Sequence, residues 1–439
     1  MKPFLALTLG LLPMLGTLRA TGPLKPNIIL INCDDLGYGD LGCYGAKDIR
    51  TPHLDRMAAE GTRFTDFSVT SALCTPSRAA LMTGKYPGRV GLATGVLRPD
   101  ATNGLAGAEV TLAEVLKTAG YATGCIGKWH LGFVKGMRPM DQGFDSYYGV
   151  LHNLDHWETV CFEKEGGMPV LRGDVVEKRP AVPAEMTGLY TAEALKFIEA
   201  NREKPFFLYI GHAMPHIPFD ASPKFKGRSQ RGLYGDAVEE LDDSTGQILD
   251  KLRALGLAEK TLVIFTSDNG PERNTPGSAG PLRGTKHSVY EGGLRVPCIA
   301  WWPGHVPAGR VCDEFVTTLE LLPTFARLAR TKPPKNLDGF DISPVLLGQK
   351  GATSPRTTLY SLYGYKERRL ESLREGRWKL HLGSPPRLYD LSRDLAESTD
   401  VAAQHPEVVE RLLKLAEQTR RRTGATAPND GKMKSSQNE

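Results

Sequence analysis

Three runs of consecutive apolar residues stand out along the chain, at residues 27–33, 206–211 and 261–267. Each run is too short for a buried helix and is followed by polar residues, a pattern typical of strands that are buried on both faces. Segments with helical periodicity lie between the runs. This alternation predicts an α/β fold in which a large, mostly parallel or mixed sheet is sandwiched by helices.

Two of the intervening helices are defined by their own residues. Thr111 and Glu114 have the spacing of a capping box, and Gly120 marks the end of the helix that they begin. The other helix directly precedes the run 261–267 and is closed by Gly256. Its apolar face consists of Val238, Leu241, Ile248, Leu252 and Leu255. A helix between two such strands predicts a crossover connection.

The length and the C-terminal pattern predict a second, smaller unit. A chain of 439 residues exceeds the size at which single cores stop growing, about 250–300 residues. Residues 358–383 alternate like short antiparallel strands, and residues 406–422 form an amphipathic helix. We therefore expect a main domain over residues 24–348 and a small C-terminal α+β subdomain over residues 349–422. A polar, disordered tail follows over residues 423–439.

The N-terminus and the net charge restrict the location and the partners. Residues 1–20 join Lys2, an apolar run and small residues that end at Ala20, which is the pattern of a secretory signal peptide. No later segment is long and apolar enough to span a membrane. Loss of the two cations Lys2 and Arg19 lowers the formal net charge from +5 to +3, too little to favour nucleic acid. We expect a secreted or periplasmic protein.

Export makes the cysteines informative. The chain has seven, so at least one is left unpaired or modified in an oxidising compartment. Cys33, Cys125 and Cys298 lie in apolar runs, where cysteine is usually a small buried hydrophobic residue. Cys74 instead begins the sequence CTPSR, directly before a helical segment. The odd count alone does not identify the modified cysteine.

Acidic and amide side chains follow two of the predicted strands. Asp34 and Asp35 come directly after residues 27–33, and Asp268 and Asn269 follow residues 261–267. Ligands in such sheets collect beyond the carboxyl ends of the strands. Oxygen donors without thiolate or imidazole suit a hard cation such as Ca²⁺ or Mg²⁺. Either pair alone would more simply cap a loop or a helix, but two such strand ends favour a metal site.

Basic side chains also follow the predicted strands, which indicates an anionic substrate. They are Lys128, His130, His212, His216 and Lys286. Lys128 and His130 would face the same way if their strand continued past residue 127. Lys286 lies in residues 270–295, a stretch with little periodicity, and loops of that length are usually functional or disordered. Singly, each of these side chains would more simply be a solvated surface residue.

The sequence CTPSR followed by AALMTGKYP resembles the signature of the type I sulfatases, in which this cysteine is oxidised to formylglycine. Similar motifs continue in the family's order through most of residues 25–305: DDLGYGDLGCYG, TPHLDRMAAEGTRF, GKWHLG, PHIP, SDNGP and LRGTKHSVYEGGLRVP. Several matching motifs make a chance resemblance very improbable. The resemblance implies an alkaline phosphatase-like fold and a sulfuric ester hydrolase that is matured by a formylglycine-generating enzyme.

The resemblance also implies a role for each matching residue. The metal ligands would be Asp34, Asp35, Asp268, Asn269 and the modified Cys74. Arg78 would stabilise the formylglycine hydrate, and Lys128 and Lys286 would bind the sulfate oxygens. His130 would orient or deprotonate the hydrate. His216, which the motif PHIP favours over His212, would protonate the leaving oxygen.

Two alternatives remain open from the sequence. One is a phosphate or phosphonate monoester hydrolase that uses the same modified residue, since both substrates are tetrahedral oxyanions. The other is a noncatalytic protein that binds sulfated glycans. The substrate, an aryl sulfate or a sulfated carbohydrate, is not specified. Residues 149–162, with His152, Asn153, His156 and Trp157, are a candidate wall of the substrate site, and an ordinary surface loop is as good an interpretation.

Overall fold

The computed structural model describes residues 25–155, 160–364 and 367–428. The predicted signal peptide and most of the predicted tail lie outside the described residues. Among those described, the strands are β1 (Asn27–Cys33), β2 (Thr62–Phe64), β3 (Phe67–Ser68), β4 (Ala122–Gly127), β5 (Ser146–Gly149), β6 (Val170–Arg172), β7 (Val175–Lys178), β8 (Phe206–Gly211), β9 (Thr261–Ser267), β10 (Cys298–Trp301), β11 (Arg310–Cys312), β12 (Val316–Thr317), β13 (Thr358–Tyr363), β14 (Arg369–Glu375), β15 (Trp378–His381) and β16 (Arg387–Asp390).

The described α-helices lie between these strands and after them. They are α1 (Pro52–Ala59), α2 (Cys74–Thr83), α3 (Leu112–Thr118), α4 (Pro183–Ala200), α5 (Gly232–Ala254), α6 (Glu291–Leu294), α7 (Leu321–Leu328), α8 (Ser343–Leu346) and α9 (Pro406–Thr423). None of the helices in the described ranges combines the length and the apolar character needed to cross a bilayer.

Ten strands form one sheet in the order β11-β2-β10-β9-β1-β8-β4-β5-β6-β7. The central part of the sheet is parallel and consists of β9, β1, β8, β4 and β5. Antiparallel pairs occur on both sides of it: β10 with β9 and with β2 on one side, and β6 with β5 and with β7 on the other. The three predicted strands are β1, β8 and β9, and they lie together at the centre. The predicted large mixed sheet is therefore confirmed.

Alternate side chains of β1 enter two different cores, because successive residues of a strand point to opposite faces. Ile28 and Leu30 join the core that contains residues of α2, α3 and α7. Ile29 and Ile31 join the core that contains residues of α1, α4 and α5. Both cores are apolar and buried, which is why β1 reads as a continuous apolar run. The sheet is sandwiched by helices, as predicted.

Helix α5 connects β8 to β9, which both pair in parallel with β1. The predicted apolar face is buried from Val238 to Leu252, and Leu255 caps the C-terminus. Gly256 follows with φ 66°, in the left-handed region that glycine adopts without strain. The predicted crossover connection is confirmed.

The capping box at the start of α3 is also formed. The Thr111 hydroxyl accepts from the Glu114 amide, the Glu114 carboxylate accepts from the Thr111 amide, and the Thr111 hydroxyl donates to the Gln142 carbonyl. Thr111→Ala should lower the free energy of unfolding by about 1–2 kcal/mol, because it removes the cap and leaves a buried carbonyl unpaired. Urea denaturation measures this change. Thr118→Ala at the exposed end of the same helix is the control, and an equal loss there would contradict the prediction.

A small antiparallel sheet of β13–β16 packs with α9 to form the C-terminal unit. Its apolar core includes Leu373, Leu380 and Leu412, and it extends onto Ala80 and Leu319 of the main domain. The division near residue 348 stays a prediction.

The tail begins later than predicted, because α9 continues through Thr423. Beyond the helix, the Thr426 amide donates to the Arg368 carbonyl, and the Leu370 amide donates to the Thr426 carbonyl. These hydrogen bonds attach residue 426 to β14. The part of the predicted tail over residues 423–426 is therefore paired backbone rather than disordered chain.

Candidate active site

Strands β1 and β9 lie side by side in register, so the residues that follow them leave the sheet at the same level. Cys33 is paired with Ser267, and the Asp268 amide donates to the Cys33 carbonyl over 3.0 Å. Asp34 and Asp268 are therefore neighbours, and both are fully buried. The structure brings the two predicted acidic strand ends together.

Asp35 and Asn269 complete this carboxylate group. Asn269 Nδ2 donates to Asp35 Oδ1 over 2.7 Å, and the Asp35 amide donates to Asp268 Oδ1 over 3.3 Å. Asp35 has φ 63°, a left-handed conformation that costs a non-glycine residue on the order of 1 kcal/mol. Asn269 Oδ1 is buried and accepts no hydrogen bond from any described residue. An acceptor in this position is suited to a cation.

Helix α2 begins at Cys74 and points that residue at the carboxylates. Cys74 Sγ lies 3.6 Å from Asp34 Oδ1 and donates to it. Arg78, one helical turn later, donates from Nε to Asp268 Oδ2 over 2.8 Å and from Nη1 to the Tyr209 hydroxyl over 3.1 Å. Its Nη2 is 3.6 Å from Asp34 Oδ1 and has no hydrogen-bond acceptor among the described residues. One guanidinium N–H group is therefore available to an anion.

Two buried lysines face the same group of carboxylates. Lys128 Nζ forms an ion pair with Asp34 Oδ2, and Lys286 Nζ lies 2.8 Å from Asp35 Oδ2 and 3.2 Å from Glu272 Oε2. Lys128 is fully buried, and Lys286 is 5% exposed. With Arg78, the lysines supply three cations against the three aspartates and Glu272, so the carboxylates exceed the permanent cations by one before any ligand enters.

His130 is not placed by the strand alternation that we predicted. Strand β4 ends at Gly127, and His130 has a left-handed backbone with φ 60°. Its Nε2 lies 2.9 Å from the Leu97 carbonyl, so Nε2 carries the proton that is donated. Burial, reinforced by the positive charge of Lys128, holds the pKa of His130 well below its usual value. The neutral ring leaves Nδ1 as a buried acceptor without a donor among the described residues.

His216 faces the carboxylates, and His212 does not. His216 Nδ1 donates to the Ile217 carbonyl over 2.6 Å, so Nε2 is the free acceptor, 3.7 Å from Asp35 Oδ2. Burial and then the charge of Lys286 lower the pKa of His216. Both ring nitrogens of His212 are buried without a hydrogen-bond partner among the described residues, and its ring centroid is 6.2 Å from that of Tyr190. This favours His216 over His212, as the motif PHIP did.

The donor atoms fit a hard divalent cation. Ligand atoms of Asp34, Asp35, Cys74 and His216 all lie within 4.8 Å of one another, and Asp268 lies outside this group, paired with Arg78. Burial, together with repulsion from Asp34, raises the pKa of Asp268 to about 7. A bound cation would screen the Asp34 and Asp268 carboxylates from each other. It would thereby favour the charged form of Asp268 and lower its pKa. The oxygen donors of the site are the Asp34 and Asp35 carboxylates and the unpaired Oδ1 of Asn269, and oxygen donors are those that hard cations prefer.

The Cys74 thiol is not an activated nucleophile. Burial raises its pKa far above the usual value, although Lys128 and Lys286 act in the opposite direction. The thiol therefore stays protonated at neutral pH, and the thiolate is the reactive form of cysteine. A buried, protonated thiol among three carboxylates and three cations is a poor catalyst without chemical modification.

Two further residues of the site were not predicted. Glu272 contacts Lys286, and Tyr209 receives hydrogen bonds from Arg78 and from Asn32 Nδ2. Glu272 follows Asn269 by three residues in the motif SDNGPE, so its position in the motif could have identified it. Tyr209 lies inside the apolar strand β8, where nothing in the pattern distinguishes it from a core residue.

The candidate substrate wall lies against the His130 segment. The amides of Trp129 and His130 donate to the carbonyls of residues 150 and 151. His152 and Asn153 are buried, and the His152 ring lies 3.7 Å from the Phe133 ring between centroids. His156 and Trp157 lie outside the described residues. This backbone pairing places the start of the segment next to the site, and a role in substrate binding stays a prediction.

Comparison with known proteins gives consistent similarities. A family profile described as Sulfatase matches residues 26–331, and one described as N-sulphoglucosamine sulphohydrolase, C-terminal, matches residues 285–422. Arylsulfatase A of Homo sapiens is 42% identical, over 89% of this chain and 87% of that protein. N-acetylgalactosamine-6-sulfatase of Mus musculus is 41% identical, over 84% of this chain and 74% of that protein. The crystal structure of Ps i-CgsB in complex with k-i-k-neocarrahexaose is similar with a TM-score of 0.81 and 32% identity, over 90% of this chain and 92% of that chain.

Proposed function

Because the chain belongs to the sulfatase family and is therefore a sulfuric ester hydrolase, we propose that it uses a formylglycine residue made from Cys74. The observation that supports this most directly is the environment of the Cys74 thiol, 3.6 Å from Asp34 and buried among cations. A thiolate that attacked sulfur would form a thiosulfate-like product with no easy exit. A formylglycine hydrate supplies one hydroxyl for attack on sulfur and a second for release of sulfate.

Individual side chains of the site suit the remaining steps. His130 Nδ1, an acceptor in the neutral ring, can take the proton of the attacking hydroxyl. Arg78 Nη2, which has no acceptor among the described residues, can donate to an oxyanion beside Cys74. Neutral His216 has no proton on Nε2, so it must first take up a proton there before it can act as a general acid. That nitrogen lies 3.7 Å from Asp35 Oδ2.

A divalent cation would be held by Asp34, Asp35, Asp268 and Asn269, and it would supply positive charge where the sulfate group binds. Its binding would require Asn269 to present Oδ1, the atom that accepts no hydrogen bond from the described chain. Ca²⁺ is the proposed ion, and Mg²⁺ is the alternative. Lys128 and Lys286 would bind further sulfate oxygens beside the cation.

The proposed substrate is a sulfate monoester of an aryl alcohol or of a carbohydrate. The similar proteins support both classes, since their names include an arylsulfatase and an N-acetylgalactosamine-6-sulfatase, and the similar crystal structure is a complex with k-i-k-neocarrahexaose. A panel of sulfated mono- and disaccharides beside nitrophenyl sulfate would identify the class. We further propose that the protein is exported and is matured by a formylglycine-generating enzyme.

Two measurements, the rates with two nitrophenyl esters and the mass of the peptide that contains Cys74, distinguish the proposed activity from the two alternatives. We expect nitrophenyl sulfate to be hydrolysed much faster than nitrophenyl phosphate, and the tryptic peptide that contains Cys74 to have the mass of formylglycine. Preferred hydrolysis of the phosphate would indicate a phosphate or phosphonate monoester hydrolase. An unmodified cysteine together with tight binding of a sulfated glycan and no turnover would indicate a noncatalytic binding protein.

Lys286→Ala should lower kcat/KM for nitrophenyl sulfate by on the order of 10², as removal of one preorganised charge at a transition state often does. The physical reason is the loss of a cation that lies 2.8 Å from Asp35 in a buried site. Steady-state kinetics measure the change. Lys335→Ala, at an exposed lysine, is the control and should keep the kinetics unchanged. Near-normal kinetics of Lys286→Ala would remove Lys286 from the proposed site.

A further inference from the structure

We infer that Glu397, in the C-terminal subdomain, is a positioning residue for Lys286. This inference rests on the proposed function, because it assigns to Glu397 the placement of the side chain proposed to bind sulfate. Glu397 is fully buried, and it is separated from Lys286 by more than a hundred residues of sequence. It contacts both ends of the loop that carries Lys286.

The base of that loop is closed by one backbone hydrogen bond, from the Gly292 amide to the Arg283 carbonyl over 2.7 Å. Glu397 holds both sides of this base. Its carbonyl accepts from Arg283 Nη1 over 2.9 Å, and its Oε2 accepts from the Glu291 amide over 2.6 Å. Glu397 of the subdomain therefore contacts the segment 283–292 at Arg283, where it begins, and at Glu291, close to where it ends.

The tip of the loop is held by backbone hydrogen bonds to the main domain. The Lys286 amide donates to the Pro271 carbonyl over 2.8 Å, and the His287 amide donates to the Ala72 carbonyl over 3.1 Å. Only four residues lie between Lys286 and Glu291 in sequence. A shift of the base is therefore transmitted to the Lys286 ammonium, and a displacement of about 1 Å at a catalytic group can cost 10²-fold in rate.

Glu397 is itself held rigidly. Its Oε1 accepts from His381 Nε2 over 2.7 Å and lies 3.3 Å from Lys379 Nζ, which also pairs with Glu291 over 2.7 Å. The His381 ring stacks on Tyr290 with centroids 4.3 Å apart. Strand β15, which carries both Lys379 and His381, therefore also contacts the loop. Glu397 has φ 49°, a strained conformation for a residue with a side chain, and its hydrogen bonds offset that strain.

The surrounding ion pairs are balanced only when Glu397 is charged. The carboxylates are Asp66, Glu291 and Glu397, and the permanent cations are Arg295, Arg374 and Lys379. Burial lowers the pKa of His381, so its ring is neutral and adds no charge. Replacing Glu397 with glutamine keeps its shape but leaves one cation in excess at the base of the loop, where an unbalanced buried charge is costly.

Attachment of the subdomain does not depend on Glu397 alone. The Tyr86 and Tyr360 rings stack with centroids 3.7 Å apart, and Glu320 forms a buried ion pair with Arg356 over 2.5 Å. No described contact joins Glu320 to the loop 283–292. Glu320 is thus a matched control, a fully buried carboxylate near the subdomain with a similar cationic partner.

The test is a double-mutant cycle between Glu397→Gln and Lys286→Ala, measured as kcat/KM for nitrophenyl sulfate and as affinity for inorganic sulfate. Glu397→Gln alone should lower kcat/KM by on the order of 10-fold and weaken sulfate binding. In the Lys286→Ala background the same change should have less than about a two-fold effect, because the side chain that it positions is absent. Glu320→Gln should lower thermal stability and leave both readouts unchanged.

Arg283→Gln provides a second variant if Glu397→Gln does not fold, since Arg283 is exposed and contacts the Glu397 carbonyl from the other side of the base. It should reduce kcat/KM several-fold, again only when Lys286 is present. Equal losses in Glu397→Gln and Glu320→Gln, or full additivity with Lys286→Ala, would overturn the inference while Lys286 remained the sulfate-binding residue. Near-normal kinetics of Lys286→Ala itself would overturn the proposed role of Lys286 and this inference together.

Discussion

Replacing Cys74 with alanine is expected to abolish hydrolysis of sulfate esters, and replacing it with serine is expected to stop the reaction after one turnover. Serine presents one hydroxyl that can accept the sulfuryl group, but it has no second hydroxyl with which to expel sulfate. The serine variant should therefore accumulate as a sulfate ester. Intact-protein mass spectrometry after incubation with substrate should show the added mass of one sulfuryl group on the serine variant alone.

Wild-type protein produced without a formylglycine-generating system should resemble the alanine variant, because burial keeps the unmodified thiol protonated. Cys125→Ala is the matched control, since Cys125 is equally buried but lies within β4, away from the carboxylates. It should keep its activity and lose only stability. Sustained turnover by protein whose Cys74 thiol is intact by mass spectrometry would rule out the formylglycine mechanism.

Asp35→Ala and Asp268→Ala are each expected to abolish turnover and to release the bound divalent cation. Either change removes an oxygen donor from the buried group and leaves the neighbouring cations, Lys286 or Arg78, without their closest carboxylate. Metal analysis of the purified variants and kinetics after dialysis against a chelator measure the two effects. Adding Ca²⁺ back should restore the chelated wild-type enzyme and neither variant.

Asp242→Ala is the control for a buried carboxylate outside the site. Asp242 accepts the amides of His53 and Leu54 at the start of α1, so its loss should lower stability by about 1 kcal/mol and leave the metal content unchanged. Full activity of chelated wild-type enzyme, or full metal content in both site variants, would show that the carboxylates have another role.

The centre of the fold could be predicted because its strands are buried on both faces. Strands β1, β8 and β9 read as unbroken apolar runs, and the polar residues that follow them mark the sheet edge where the site lies. The short strand β2 has three residues, too few to show a period, and it escaped prediction. The parts of the site that follow strand ends could therefore be predicted from the sequence, and the antiparallel edges of the sheet could not.

Other features depend on contacts that leave no local pattern. The placement of His130 follows from a left-handed turn after Gly127, whereas strand alternation would have continued the chain straight. The contact between Glu397 and Glu291 joins residues 106 positions apart in sequence, and neither lies in a periodic segment that indicates the other. Only the folded chain brings them together.

The left-handed residues at the site have a consequence for protein engineering. Asp35, His130 and His287 all have φ between 60° and 69°, where glycine or asparagine would be less strained. Glycine at Asp35 or His130 would relieve backbone strain of on the order of 1 kcal/mol but would remove the side chain, and at Asp35 it would also leave the buried Lys286 ammonium without its closest carboxylate. Heat-resistant variants are therefore better sought away from Asp35 and His130, because relief of the strain and loss of activity would come together there.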